Sequence, residues 1–541
     1  MDGLIMDYQL NVPAILRRAE ELFAHKEIVS RLPDKSWHTY TYGDFARRAK
    51  QLALALRNEL GLRDGDRVGT FAWNHHEHLE TYIGAPVGGF VTHTLNLRLH
   101  ADDLTYIAKH GGDRVLIADK VLWPLVESFK DRVGFGHVVA IGAGPTPDGA
   151  IDFEELLASA DAEAFQYREL DERSAAAMCY TSGTTGQPKG VLYSHRAIAI
   201  HSLASTQSSS LGIGEADSVL PVVPMFHANA WGFPFTCTLV GSRQVFPGPH
   251  LDPQSLLDAL VEQGVTVTAG VPTIWTGILQ ALDARPHGWD LSKLRAMIVG
   301  GSAAPKAMIE GFERRHGLHV KHAWGMTEMA PLGSISELSS RELALSEDEQ
   351  FTYRAKQGLP SPFVEIRARG GDGLVPWDGA TMGELEVRGA WIASSYFEAP
   401  DAAERWTDDG WFKTGDIVTI EPNGYIEIQD RAKDLVKSGG EWISTVALEN
   451  ALMGHPAVLE AAVIAVPDET WSERPCGVVV LREGEKATPA ELRAFLTPQF
   501  AKWWLPDRFE FVEEIPKTAV GKFRKTALRD LFSTAGPAEH D

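Results

Sequence analysis

The segment of this chain most directly suited to chemistry is Tyr180 to Val191, YTSGTTGQPKGV. Small residues such as Gly183 and Gly186 let backbone N–H groups close on phosphate oxygens, Thr181, Ser182, Thr184 and Thr185 add hydroxyl donors, and Lys189 adds a positive charge. That combination suits a polyphosphate. The segment is not a Walker A loop: counted from Gly183, the position of the second glycine holds Pro188, and Lys189 is followed by Gly190 instead of Ser or Thr. Alone, such a string could equally be a surface turn.

Seven further segments follow in order: Pro224 to Trp231 (PMFHANAW), Val299 to Pro305 (VGGSAAP), Trp324 to Glu328 (WGMTE), Gly383 to Gly389 (GELEVRG), Gly410 to Asp416 (GWFKTGD), Asp430 to Trp442 (DRAKDLVKSGGEW) and Pro516 to Lys525 (PKTAVGKFRK). Taken singly, an Asp after Thr and Gly is usually a turn or cap residue, and a lone Lys or Trp is a surface charge or a core side chain. Taken together, the set resembles the signature of the adenylate-forming superfamily, which includes acyl-CoA synthetases, peptide-synthetase adenylation domains and firefly-type luciferases. Within it the chain most resembles bacterial fatty-acid CoA ligases, and short-chain and methylthio-propionate ligases share much of the same text.

The resemblance implies that a carboxylic acid attacks the α-phosphate of ATP to give an acyl-adenylate and pyrophosphate, after which the thiol of CoA takes the acyl group and AMP leaves. The first step presses two anions together and requires cations and fixed dipoles. By resemblance, Lys522 reaches the carboxylate and α-phosphate, Thr181 to Lys189 cradle pyrophosphate, and Thr185 and Glu328 hold Mg²⁺. Asp416 would accept from the ribose hydroxyls and Arg431 would donate to the same sugar. The small residues Gly301, Ser302 and Ala303 would lie on one face of adenine, and Trp324, followed by Gly325, Met326 and Thr327, would stack on the other. His227 and Trp231 would line the acyl pocket, the indole serving as a block, a gate or a floor. Lys433 falls at the position about which relatives rotate their small domain, and Lys437, Gly439 and Gly440 would then face the CoA side.

Two other patterns carry less. His75, His76 and His78 flank Glu77, but a zinc-binding HExxH helix would need His where Glu80 stands. The Gly300 to Ala304 run lacks the last glycine of a hydrolase GxSxG elbow. Too little chain follows Lys522 for an attached carrier domain of about 80 residues, so no acceptor in cis is expected. A separate carrier protein, or a luciferase-like oxygenation, remains an alternative fate for the adenylate.

The elements that must position these residues read as α/β. Tyr42 to Leu60 carries Phe45, Ala49, Leu52, Leu56 and Leu60 near helical spacing, and short apolar runs at Val115 to Ala118, Val138 to Ile141, Val265 to Ala269, Met297 to Val299 and Ala462 to Val466 read as strands. We expect a large multi-layer α/β domain over 1–432 and a smaller mobile α+β domain over 433–541 that carries Lys522, its polar tail fraying. The 541-residue chain has a net charge of −22, which supplies no positive field for nucleic acid. Three separated cysteines, no signal-peptide pattern and no long apolar run point to the cytoplasm, with membrane contact at most peripheral. A homodimer is expected.

Overall fold

The computed structural model describes residues 1, 3–181, 187–438, 441–468, 470–518 and 522–532. The sequence-predicted site residues Ser182, Gly183, Thr184, Thr185, Gly186, Gly439 and Gly440, and the tail beyond 532, lie outside the described residues.

Apolar runs alternating with amphipathic helices build two large, mostly parallel sheets. In one, six parallel strands run in the order Val320–Gly325, Ala296–Val299, Val267–Gly270, Ser218–Pro221, Arg243–Phe246 and Glu27–Arg31, with antiparallel strands at both edges. In the other, the parallel set from Ile151–Asp152 to Ala175–Tyr180 ends on the antiparallel strand Gly190–Ser194. Ala296–Val299 and Val267–Gly270 are buried at every residue, as continuous apolar strands covered on both faces must be. An antiparallel five-stranded sheet follows, closing on Phe412–Ile420 and Ile426–Arg431. The remaining sheet joins Val436–Ser438, Glu441–Ile443, Val458–Asp468, Ser472–Leu481 and Arg508–Phe511. Its core of Val436, Leu448, Val463, Val479 and Leu492 is separate from the larger cores before it.

Between the two large sheets lies a layer of helices. Tyr42–Asn58 starts at a capping box in which Thr41 and Asp44 satisfy each other's backbone, and it ends two residues before the sequence pattern predicts, ahead of Gly61 at φ 68°. Its apolar stripe of Phe45, Ala49, Leu52 and Leu56 packs on His76–Val87, a helix buried at all its residues. This helix carries Glu80, fully buried, whose carboxylate accepts from Arg48 Nε at 2.7 Å. Burial pushes the Glu80 carboxyl up to about 7, with Arg48 opposing the shift.

Removing one partner of such a pair costs about 3–5 kcal/mol because a charge is stranded in the core. Arg48→Met should therefore lower the thermal midpoint by several degrees at pH 8. The loss should shrink toward pH 5.5, where the unpaired Glu80 takes up a proton instead; a scan of midpoint against pH checks both.

Candidate active site

The loop after Ala175–Tyr180 is a hairpin connection whose base is fixed: Thr181 N–H donates to the Lys189 carbonyl at 2.9 Å, and Lys189 N–H donates to Thr181 Oγ1 at 3.2 Å. Tyr193, on the returning strand, donates its hydroxyl to the Thr327 carbonyl at 2.6 Å and so ties this hairpin to the Trp324–Glu328 segment. Lys189 Nζ lies 6.0 Å from the centre of the Tyr396 ring.

Glu328 sits on a short turn, Thr327–Met329, and is buried. Tyr396 donates its hydroxyl to Glu328 Oε1 at 2.5 Å, fixing one carboxylate oxygen. Gly325 is needed for the turn to close, since a Cβ there would run into the Pro331 carbonyl that Met326 N–H bonds at 3.0 Å.

Asp416 and Arg431 are cross-strand partners in the antiparallel sheet, and Arg431 Nε meets Asp416 Oδ1 at 2.7 Å. Asp416 Oδ2 accepts the indole N–H of Trp324 at 3.0 Å. The sequence suggested a stacking surface at Trp324; in the fold its indole also supplies a hydrogen bond, to the carboxylate expected to hold ribose. The guanidinium and the indole N–H, both donating to a carboxylate 2% exposed, hold it in one orientation.

The Gly300–Ala303 loop ends the strand Ala296–Val299. Gly301 has φ 84°, and a Cβ on Gly300 would stand 2.8 Å from the Ala323 carbonyl and 3.0 Å from the Trp231 indole. The glycines thus let the Trp231 indole and the Gly300–Ala303 loop touch. Trp231 reaches that position from an unusual backbone: Ala228, Asn229, Ala230 and Trp231 all have φ between 43° and 55°, followed by Gly232 at 80°. Left-handed conformations cost non-glycine residues roughly 1–2 kcal/mol each, and such strain concentrates at functional sites. Nothing in the residues of HANAW announces it.

Lys522 completes the cleft from the carboxy-terminal domain. Its loop is braced by Thr518, whose N–H donates to the Lys522 carbonyl at 2.7 Å and whose Oγ1 accepts from Lys522 N–H at 3.1 Å. Burial lowers the Lys522 ammonium to about 8; Arg431 adds to the shift, while Asp416 and Glu328 oppose it. His227 is lowered to about 4, by burial first and then by the cations Lys522 and Arg98. His227 is therefore neutral near pH 7.

These groups line one cleft of about 1340 Å³, which holds Thr181, Lys189, His227, Trp231, the Gly300–Ala303 loop, Trp324–Glu328, Asp416, Arg431, Lys433 and Lys522. Arg98 and Tyr396 line it too and were not singled out from sequence; neither sits in a recognised motif. Lys433 is exposed in a turn where Asp434 N–H bonds the Arg431 carbonyl at 2.9 Å. Lys437 is exposed on the hairpin beyond it and does not line the cleft. His75, His76 and Glu77 bring one donor atom each within 4.8 Å of one another, but His75 Nε2 bonds Asp119 at 3.1 Å, Glu77 accepts from Gly142 N–H at 2.9 Å, and none of the three lines the cleft.

Thr181 and Lys189 at the base of the hairpin, a paired carboxylate and guanidinium, and a lysine delivered from a second domain, all facing one cleft, are the arrangement of an adenylate-forming enzyme. The sequence pattern of the AMP-binding enzyme family matches residues 16–397 and that of the AMP-binding enzyme C-terminal domain matches 447–522, and the chain belongs to this family. It is 48% identical to a long-chain-fatty-acid–CoA ligase of Thermus thermophilus over 98% of this chain and 96% of that one. It is 42% identical to a 3-methylmercaptopropionyl-CoA ligase of Ruegeria lacuscaerulensis over 99% of each. The crystal structure of the anthranilate CoA ligase AuaEII in complex with anthranoyl-AMP superposes with a TM-score of 0.86 at 25% identity, covering 98% of this chain and 99% of that one.

Trp324→Phe keeps an aromatic face and removes only the N–H on Asp416. A hydrogen bond to a charged group is worth about 1.5–3 kcal/mol, and this one is already made without nucleotide, so Trp324→Phe should lower the thermal midpoint of the free protein by a few degrees, and AMP affinity measured by calorimetry should fall as well because Asp416 is no longer held in place.

Proposed function

We propose that this protein is an ATP-dependent acid–CoA ligase that converts a medium- or long-chain fatty acid to its acyl-CoA through an acyl-adenylate, releasing pyrophosphate and AMP. The observation that carries the reading is Lys522, brought from the carboxy-terminal domain to within electrostatic reach of Glu328, Asp416, Arg431 and His227. At pH 7 its ammonium is charged and its water is largely stripped away, so its field on a carboxylate and an α-phosphate is far stronger than it would be in water. His227, being neutral, lends the acyl carboxylate a hydrogen bond without competing for that role. Asp416 and Arg431 orient the ribose, the Gly301–Ala303 backbone takes the adenine, and Thr181 to Lys189 hold the phosphates.

The Glu328 carboxylate, one oxygen fixed by Tyr396, is the kind of hard oxygen donor that Mg²⁺ takes alongside substrate phosphates. Glu328 and Thr185 would hold the ion, which neutralises phosphate charge when bound. The similarity to the Thermus ligase favours a long acyl chain. The indole of Trp231 pressed on Gly300 narrows the pocket and favours a short acid, such as the thioether acid that names the Ruegeria relative's product, as the second reading. We place the enzyme in the cytoplasm as a homodimer. Three buried, unpaired thiols suit a reducing compartment, and exposed Leu4, Ile5 and Met6 offer apolar surface to a second copy. Among the described residues no helix is long and apolar enough to cross a membrane.

The decisive experiment is pyrophosphate release and CoA-thioester formation, without oxygen, across straight-chain acids of increasing length together with aryl and thioether acids. CoA-independent turnover, or thioester formation on a carrier protein only, would reject the ligase reading. In that assay Lys522→Ala should lower acid-dependent pyrophosphate release on the order of 10²–10³-fold, while thioester formation from supplied acyl-adenylate survives. For the wild type, kcat/KM of the adenylation half-reaction should fall as pH rises through about 8, because deprotonation removes the Lys522 charge. The corresponding limb in kcat should lie at higher pH, since bound phosphates hold the proton.

Trp231→Ala should move acid selectivity and leave the KM for ATP within about twofold. If the indole is a floor, longer acids gain and short ones lose about 1 kcal/mol per methylene contact; if it is a gate, long-chain preference stays while discrimination among lengths relaxes. Unchanged selectivity with a raised KM for ATP would remove Trp231 from the acyl pocket.

A further inference from the structure

Three residues after Lys522, the chain enters the helix Lys525–Phe532, and the side chain of its first residue turns inward. Lys525 is 10% exposed, and its ammonium meets Thr445 Oγ1 at 2.5 Å, Glu449 Oε1 at 2.8 Å and Asp430 Oδ2 at 3.4 Å. The Thr445 hydroxyl also donates to Asp430 Oδ2. These partners lie on opposite sides of Lys433. Thr445 and Glu449 belong to the helix Thr445–Met453, packed within the carboxy-terminal unit. Asp430 lies on the strand Ile426–Arg431, immediately before the arginine that pairs with Asp416. A second contact crosses at the same place, Ser444 Oγ donating to the Gln429 carbonyl at 2.7 Å.

We propose that Lys525 is a positioning residue for adenylation: an interdomain pin whose bridge to Asp430 seats the Lys522 loop against the nucleotide-binding strand and lets go when the small domain turns for thioester formation. This rests on the two-step ligase reading above. The geometry suits a contact that breaks once per turnover. The two short bonds of Lys525 stay inside its own domain and its longest leg crosses the boundary, beside the Thr445 hydroxyl bond to Asp430, which parts with it. Burial pushes the Glu449 carboxyl up to about 7, with Lys525 opposing the shift; burial disfavours the Lys525 ammonium, yet Asp430 and Glu449 together hold it above its ordinary value. On release, Lys525 keeps Thr445 and Glu449, while Asp430 passes to water and keeps the Arg431 N–H that its Oδ1 holds at 2.6 Å. Neither domain is left with a stranded charge. A connected line then runs from ribose to α-phosphate: Asp416, Arg431, Asp430, Lys525, Lys522.

The test compares half-reactions in the full-length enzyme with Lys525→Met, Lys525→Arg and Asp430→Asn. Acid-dependent ATP–pyrophosphate exchange reports adenylation, and CoA-thioester formation from synthetic acyl-adenylate reports transfer. Displacing a catalytic group by about 1 Å costs on the order of 10²-fold, so Lys525→Met should lower the exchange kcat by roughly 10–100-fold with KM for ATP little changed, while transfer from the adenylate holds or rises. Lys525→Arg should recover part of the loss. Asp430→Asn, nearly isosteric, should reproduce the exchange defect, and the double variant should be no worse than the poorer single one, since both break the same bridge. Equal losses in the two half-reactions would reduce Lys525 to a folding role and overturn the proposal, as would wild-type exchange in Asp430→Asn. Should Lys525→Met fail to fold, Asp430→Asn decides alone. A wild-type enzyme that neither exchanges pyrophosphate nor forms thioester would overturn the ligase reading itself, before any variant is compared.

Discussion

A lysine ammonium carried by one domain and desolvated against another is the interaction on which the rest of this structure depends. On the proposed function Lys522 must lose most of its water to act on two anions at once and yet remain charged, and the lowering of its ammonium only to about 8 fits both demands. Burial and Arg431 push the proton off, while Asp416 and Glu328 hold it on. Those carboxylates are themselves secured by other parts of the chain, Asp416 by Arg431 and Trp324, Glu328 by Tyr396. The cleft is a balance of charges distributed over the two large sheets, the antiparallel sheet and the small domain, and no one element could supply it.

The large domain supplies rigidity of a particular kind. Parallel strands buried on both faces end at the cleft in short loops, and the residues that face the nucleotide stand on those loops or on the strand ends. Helices packed between the sheets, with Arg48 and Glu80 paired in their midst, leave little freedom for the strand ends to shift. The small domain has its own cores, and among the described residues no apolar cluster spans the two domains while polar contacts cross at Gln429 and Asp430, an arrangement compatible with movement.

Much of this was legible in the residues. The strands around Val115, Val138 and Met297 appear where apolar runs lie between turn signals, and the helix from Tyr42 starts at its cap, since these features are local. Thr181, Lys189, Asp416, Arg431 and Lys522 were recognisable from motif order and meet at one cleft. What could not be read depends on long-range geometry. The indole of Trp324 finds a carboxylate 92 positions away, and Tyr396 finds Glu328 across 68. Lys525 sits at the end of a recognised motif but reads as one more surface charge until the fold closes over it. The end of the Tyr42 helix fell short because the approach to Gly61 outweighs the apolar period that continues to Leu60.

The left-handed turn at Ala228 to Trp231 also bears on how such a pocket can diversify. A β-branched side chain is barely tolerated at positive φ; of the four positions only Asn229 holds a residue favoured there, while Ala228, Ala230 and Trp231 carry the Cβ penalty without a β-branch. The stretch beside the acyl channel is therefore nearly closed to Val, Ile and Thr, the usual currency of pocket reshaping. If Trp231 lines the acyl pocket as proposed, that wall can be reshaped only by exchanging the indole for another unbranched or aromatic group, by altering the glycines it leans on, or through walls elsewhere in the cleft. A backbone conformation, more than any side chain, sets which evolutionary paths to a new substrate are open.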